Sequence, residues 1–228
     1  MRAEAMALTL LLALAACGGG SKEARQESKQ PKPVPAACSQ VALAPPPLDP
    51  GPLAVDIYAA NANDALSAQE RRLYALIMQH RETLGLSRIP LSHSLTLVAG
   101  RHAEDTAKNI IPAGGPAPGT NLHSWSDVPY YGDHRNVRFM WQAPQRLGTA
   151  YCGKGYEISG VGYPTAEQAL AGWLSSDGHR SVIENRGIWA EKDWQAIGVG
   201  IAYPASGSYR SVYHVWFGAE PDPAGPPR

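Results

Sequence analysis

His179 is where the chemistry of this chain first concentrates. In Trp173-Leu174-Ser175-Ser176-Asp177-Gly178-His179-Arg180 a helical pattern meets Asp177-Gly178, a pair that stops helices, and an imidazole follows at once. A side chain fixed just beyond a buried helix end is held more firmly than one on a free loop, so His179 is a candidate site residue. Ser175 and Ser176 stand near enough to suggest a serine nucleophile with His179 as its base. Against that, the chain has no Gly-x-Ser-x-Gly elbow, and proximity in sequence proves no geometry. Nor does it contain a histidine pair at i, i+4, the spacing that grips zinc from one helix face. His102 falls on an apolar helical stripe and reads as a packing residue.

The elements that must position these residues are marked by their caps. Thr165-Ala166-Glu167-Gln168 has the spacing of a capping box, and Ala169, Leu170, Trp173 and Leu174 fall on one face of a helix ending near Ser176. Ser67-Ala68-Gln69-Glu70 is a second box, followed by Leu73, Leu76, Ile77, His80 and Leu84 until Gly85. Ser92 or Ser94 caps a further helix bearing Leu95, Val98, Ala99, His102, Ala103 and Thr106, and residues 110–120 break it with Pro and Gly. Residues 121–155 are irregular and aromatic, which predicts a long ordered loop with one short helix near 136–141. Two β-rich runs, 194–203 and 208–218, separated by Pro204-Ala205-Ser206-Gly207, predict an antiparallel hairpin.

With 228 residues, 44% of them hydrophobic, the chain suits one globular domain plus accessory segments. A formal net charge of zero offers no basic field, so nucleic acid is excluded as an expected partner. Arg2 and the apolar run 6–16 read as an export signal too short to stay in a bilayer as a spanning helix. Leu14-Ala15-Ala16-Cys17 resembles the lipobox of bacterial lipoproteins. That makes Cys17 the lipidation site and the membrane a partner through the lipid anchor, with an ordinary signal peptide as the alternative. Gly18 rather than Asp after the cysteine resembles the outer-membrane sorting pattern of diderm bacteria. The proline-punctuated segment that follows cannot build a core and reads as an extended tether. Two cysteines remain, Cys38 and Cys152, an even number in an oxidising compartment; they can pair with each other, or stay as two thiols.

Taken together, several stretches resemble the CAP superfamily, the cysteine-rich secretory, antigen 5 and pathogenesis-related 1 type domain, in its bacterial form. They are Leu84-Gly85-Leu86 with Ile89-Pro90-Leu91, Asn121-Leu122-His123-Ser124, Gly155-Tyr156-Glu157-Ile158, Trp173 to Arg180, Ile197-Gly198-Val199-Gly200 and Val215-Trp216-Phe217-Gly218. The resemblance implies an α+β fold, an α-β-α sandwich with a small, mostly antiparallel sheet between helical layers. It divides the chain into a signal peptide at 1–16, a Pro-rich tether at 17–64, the domain at 65–220 and a Pro-rich tail at 221–228.

Members of the family hold histidines and glutamates in one cleft, sometimes around a divalent metal. His123 matches the first histidine and Glu157 the first glutamate. Ser176 stands where animal and plant members have a second glutamate, their final-strand histidine has no clean match near Arg210, and His179 occupies the cleft instead. The resemblance thus implies a binding cleft of His123, Glu157, Ser176 and His179 beneath an unusually long stretch, 124–154. No cofactor is fixed by the sequence, but His123, Glu157 and His179 would suit a divalent metal such as zinc, with an open position for water. The expected function is binding of a ligand (lipid, metal or protein partner) by a cell-envelope lipoprotein. The alternative is a metal-dependent extracytoplasmic hydrolase, peptidase or esterase, with Glu157 as general base; no catalytic residue is otherwise assigned.

Overall fold

The helix start at Ser67 shows how the sequence writes the fold. In the computed structural model, which describes Leu43, residues 45–205 and residues 209–227, the Ser67 hydroxyl accepts from the Glu70 N–H and Glu70 Oε2 accepts from the Ser67 N–H. Helix α1 (Ala68–Thr83) follows and stops at Gly85, whose φ of 70° suits a residue without a Cβ. The buried Glu70 also accepts from the Ile201 N–H through Oε1, 2.8 Å away, so the cap ties the helix to a strand. The expected signal peptide, the lipid at Cys17 and Cys38 fall outside the described residues, and so does the expected Cys38–Cys152 pair.

Helix α2 (His93–Asp105) is capped by Ser92, whose hydroxyl accepts from the Leu95 N–H at 2.9 Å. It runs on into a π-helical turn, Thr106–Ile110. After the long loop come α3 (Val137–Trp141), α4 (Ala143–Arg146), β1 (Tyr156–Val161), α5 (Ala166–Leu174), α6 (Asp177–Ile183), β2 (Ala196–Ala202) and β3 (Val212–Gly218). At α5 only half of the expected capping box forms: Thr165 accepts from the Gln168 N–H at 3.2 Å, with no return bond from the Gln168 side chain. Asp177-Gly178 does not stop a helix. It opens α6, because an acidic residue in a first turn suits the positive end of the helix dipole. His179 therefore lies in the first turn of a short helix rather than on a turn beyond one.

The three strands form an antiparallel sheet in the order β1-β3-β2, with Glu157 opposite Trp216 and Ser159 opposite His214. A parallel bridge between Leu91 and Ile197 adds a short extra contact at the β2 edge. One face of the sheet (Ile158, Val199, Val215, Phe217) packs against α1, α5 and α6 through Leu73, Ile77, Trp173 and Ile183. The other meets α2 and the long loop through Leu95, Val98, Trp125 and Phe139. This is an α+β fold with a sheet between helical layers.

Alpha2 sits directly on strand β2 because two glycines make room. A Cβ on Gly198 would fall 2.0 Å from the Leu95 carbonyl carbon, and one on Gly200 would fall 2.1 Å from the Ala99 carbonyl oxygen.

Both ends of the described chain lie on this framework. Ile57 is fully buried, and Arg101 clasps Asp64 with two 2.8 Å bonds, so the last part of the expected tether packs on the domain. Asp222, in the expected tail, accepts from the Ser92 and Ser94 hydroxyls and the Ser94 N–H at 2.6–2.9 Å, adding its charge at the start of α2.

Candidate functional site

Strand pleating puts Glu157 on the α2 side of the sheet, since its neighbour Ile158 enters the opposite core. His214 reaches the same side from the central strand, and α2, held close by the glycines, brings His102 over both. The loop after α2 adds His123. Three imidazoles from three other segments thus converge on one carboxylate.

His102 Nδ1 lies 2.5 Å from Glu157 Oε1, and His123 Nδ1 lies 2.7 Å from Oε2. His102 Nε2 is 2.9 Å from the Ser124 carbonyl, which can only accept, so that nitrogen carries a hydrogen. His214 Nδ1 comes within 2.7 Å of Glu157 Oε1, yet it lacks the direction of a hydrogen bond and is left buried without one. Its Nε2 meets the Thr106 hydroxyl at 3.1 Å, a contact made by the first residue of the π turn. The His102 ring is sandwiched between Trp125, 4.0 Å away and nearly parallel, and His214, 3.9 Å away.

Burial opposes charge on Glu157 more strongly than any other influence. The fields of His102 and His214, with the bonds from His102 and His123, still hold its carboxyl well below the usual range. Burial acts on His214 too, and with the His102 field it outweighs the attraction of Glu157, so His214 is pushed down to about 4. Glu157 is therefore charged and His214 neutral near pH 7.

Beside this cluster lies a cavity of about 680 Å³ whose lining includes His123, Glu157 and His179. The long loop supplies one wall through Tyr130, Val137, Met140 and Trp141, while α6 and the residues after it supply the other. His123 and Glu157 are bonded to each other. His179 shares the cavity, but its recorded bond, from Nδ1 at 2.9 Å, is to the Ser176 hydroxyl. Burial, and then the field of His123, lowers His179 below its ordinary value. Ser176 is not among the cavity's lining residues, and among the described residues no third group is hydrogen-bonded to the His179 ring to orient the Ser176–His179 pair as nucleophilic catalysis requires.

Among the described residues, the donor atoms that lie within 4.8 Å of one another in a set able to hold a metal belong to His102, Glu157 and His214, not to His123 and His179. The set fits a divalent cation. It offers two imidazole nitrogens and a carboxylate, with His214 Nδ1 otherwise unsatisfied and each histidine's far nitrogen fixed by a neighbour.

Two histidines of the cluster thus escape a reading of the sequence. His102 shares the apolar stripe of α2, and an inward-facing histidine looks the same whether it packs or binds. His214 lies on a strand whose seven residues are all buried, so no alternation marks its face. The signal that was available is an imidazole amid Tyr213, Val215, Trp216 and Phe217, where a polar group demands a partner.

No family profile matches the chain, and no curated protein matches it significantly. Among solved structures it is similar to a cysteine-rich secretory protein from Staphylococcus aureus, with a TM-score of 0.42 and 16% identity. That match covers 67% of this chain and 38% of the other, so it spans well under half of the staphylococcal protein. The chain is also similar to an outer surface protein from Borrelia burgdorferi, with a TM-score of 0.44 and 16% identity, over 68% of this chain and 97% of that one. Likenesses at this level assign neither an activity nor a ligand.

Proposed function

We propose that the chain is an exported, lipid-anchored protein whose CAP-type domain binds a small, largely apolar ligand beside a His/Glu cluster. The observation that carries this reading is the cavity of about 680 Å³, walled by Val137, Met140, Trp141, Ile158, Val182 and Trp189, with His123, itself bonded to the buried Glu157, facing it. Apolar walls with a few convergent polar groups are the usual make-up of small-molecule sites, and this volume lies within their usual range. The CAP assignment rests on the six sequence stretches together with the α-β-α arrangement. The anchor rests on Leu14-Ala15-Ala16-Cys17.

Binding is favoured over hydrolysis by the state of Glu157. Its side chain is fully shielded from solvent and both oxygens are engaged by imidazoles, which leaves no free oxygen to take a proton from water. A cation held by His102, Glu157 and His214 would be held by three fully buried side chains, so it would brace the cluster; when bound it would supply a fixed positive charge at Glu157.

Titration of the chain from Gly18 onward with dansyl-labelled undecanoic acid tests the proposal by fluorescence. Gly178 lines the cavity, and a Cβ there meets nothing within 4 Å, so Gly178→Trp adds bulk at the cavity from a position where the first side-chain atom is unobstructed. Saturable binding at one site, weakened tenfold or more (about 1.4 kcal/mol) by Gly178→Trp, supports the reading. Equal binding by the variant overturns it.

A further inference from the structure

Ile188 is 86% exposed, more than any other large hydrophobic side chain among the described residues. It lines the cavity at its rim, next to Trp189. Nothing about the segment suggests that this exposure is accidental. The single turn Gly187–Trp189 is held from below by Asn185, whose side-chain amide donates to the Trp189 and Lys192 carbonyls at 3.3 and 2.8 Å. Asn185 is in turn fixed by the buried Arg81, which donates to it and to the Ile183 carbonyl at 2.6 Å. A braced turn that projects an isoleucine into solvent marks a contact surface when it continues into an apolar patch.

The patch continues into the mouth of the cavity, where two aromatic rings each carry a lysine. Lys154 Nζ lies 4.0 Å from the Trp141 ring centre, and Lys192 Nζ lies 5.2 Å from that of Tyr156. Trp189 packs edge-on against Tyr156. An aliphatic tip ringed by Trp, Tyr and Lys matches the boundary between acyl chains and phosphate headgroups, where aromatic bodies and cationic tips divide between the two. Glu191 and Asp193 flank Lys192 in sequence, so the charge attraction is local and the apolar tip contributes most of the binding.

We infer that this rim docks on the surface of a lipid bilayer, with Ile188 inserted and Lys154 and Lys192 facing phosphates. The cavity then opens against the membrane and exchanges its ligand there. What the docking would serve rests on the ligand-binding reading; the docking itself does not. Residues 18–42 separate Cys17 from Leu43, a length of at most about 90 Å when extended, so a chain anchored at Cys17 can reach the same membrane.

Among the described residues, every helix and strand and all three apolar clusters lie between residues 57 and 218, so the chain from Gly18 onward keeps all of these elements while lacking the anchor. Flotation of this chain with vesicles of phosphatidylcholine and a minority of phosphatidylglycerol should carry wild-type protein upward. The Ile188→Glu variant should float about tenfold less, the effect of withdrawing one buried aliphatic side chain. Because Ile188 is 86% exposed, the variant should keep the thermal midpoint of wild type. Equal flotation of both proteins, or flotation of neither, overturns the inference. Flotation that depends on Ile188 in a protein that binds no dansyl probe keeps the docking and removes the ligand reading.

Discussion

His102 and His214 stack face to face, ring centres 3.9 Å apart, and both turn Nδ1 toward the same oxygen of Glu157. Two imidazoles this close cannot both be protonated at little cost, so the pair shares its charge with Glu157 unequally: the carboxyl stays ionised and His214 stays neutral.

That inequality makes stability fall in acid. His214 has an ordinary value of 6.5 and is pushed down to about 4 in the fold. Between those two values the unfolded chain binds a proton that the folded chain does not, so unfolding is favoured as pH drops from 6.5 toward 4. Glu157, held below 4.5, adds stability that is present above 4.5 and lost as pH falls through its folded value. Glu70 and Asp105 act in the opposite sense, because burial raises both. Urea denaturation should show a loss of about 2 kcal/mol between pH 7 and 4.5. In His214→Gln that slope should flatten; an unchanged slope would mean that His214 titrates as it does in the unfolded chain.

The glycines beneath α2 should be as demanding as the site they position. Gly198→Ala puts a methyl group 2.0 Å from the Leu95 backbone, which forces α2 away from the sheet and takes His102 with it. Overpacking of this kind costs about 1–3 kcal/mol or more. A thermal midpoint within a degree or so of wild type would show that the helix and strand are not packed so closely in solution.

Much of this fold can be read from caps and periodicity. Ser67, Ser92 and Thr165 mark the starts of α1, α2 and α5, and the runs on either side of Pro204 contain β2 and β3. What stays hidden has physical causes. Asp177-Gly178 carries both a stop signal and an acidic first turn, and only packing on the core decides between them. Glu157 lies on a strand that no reading of periodicity isolates, and it was found through family resemblance. Its partners His102 and His214 are brought together by long-range pairing, which local pattern does not encode.

The N-terminal expectations have a direct test. Cys17→Ser should move the protein from membranes to the soluble fraction, and unchanged partition would remove the anchor. Mass spectrometry of wild-type protein digested without reductant should yield one peptide pair linking Cys38 to Cys152. Two freely alkylated thiols at those positions would exclude the bond. Because residues 38–152 would then form a closed loop, the bond is worth about 4–5 kcal/mol in the chain-entropy account.

The choice between two metal sets can be made with zinc alone. The family resemblance points to His123, Glu157 and His179, whereas close convergence in the structure belongs to His102, Glu157 and His214. Both sets share Glu157, so its loss distinguishes nothing. His214 and His179 each belong to one set only, and they differ in surroundings: His214 is fully buried against His102, while His179 borders the open cavity and bonds to Ser176. Calorimetric titration with zinc near pH 7 should show one site in wild type, and it should weaken as pH drops, because imidazole ligands must be neutral. Loss of that site in His214→Ala with retention in His179→Ala places the ion in the buried cluster. The reverse pattern places it in the cavity, where an open position could hold water. If wild type binds no zinc, Glu157 and its three histidines are a hydrogen-bonded brace, and the ligand cavity has to work without a metal.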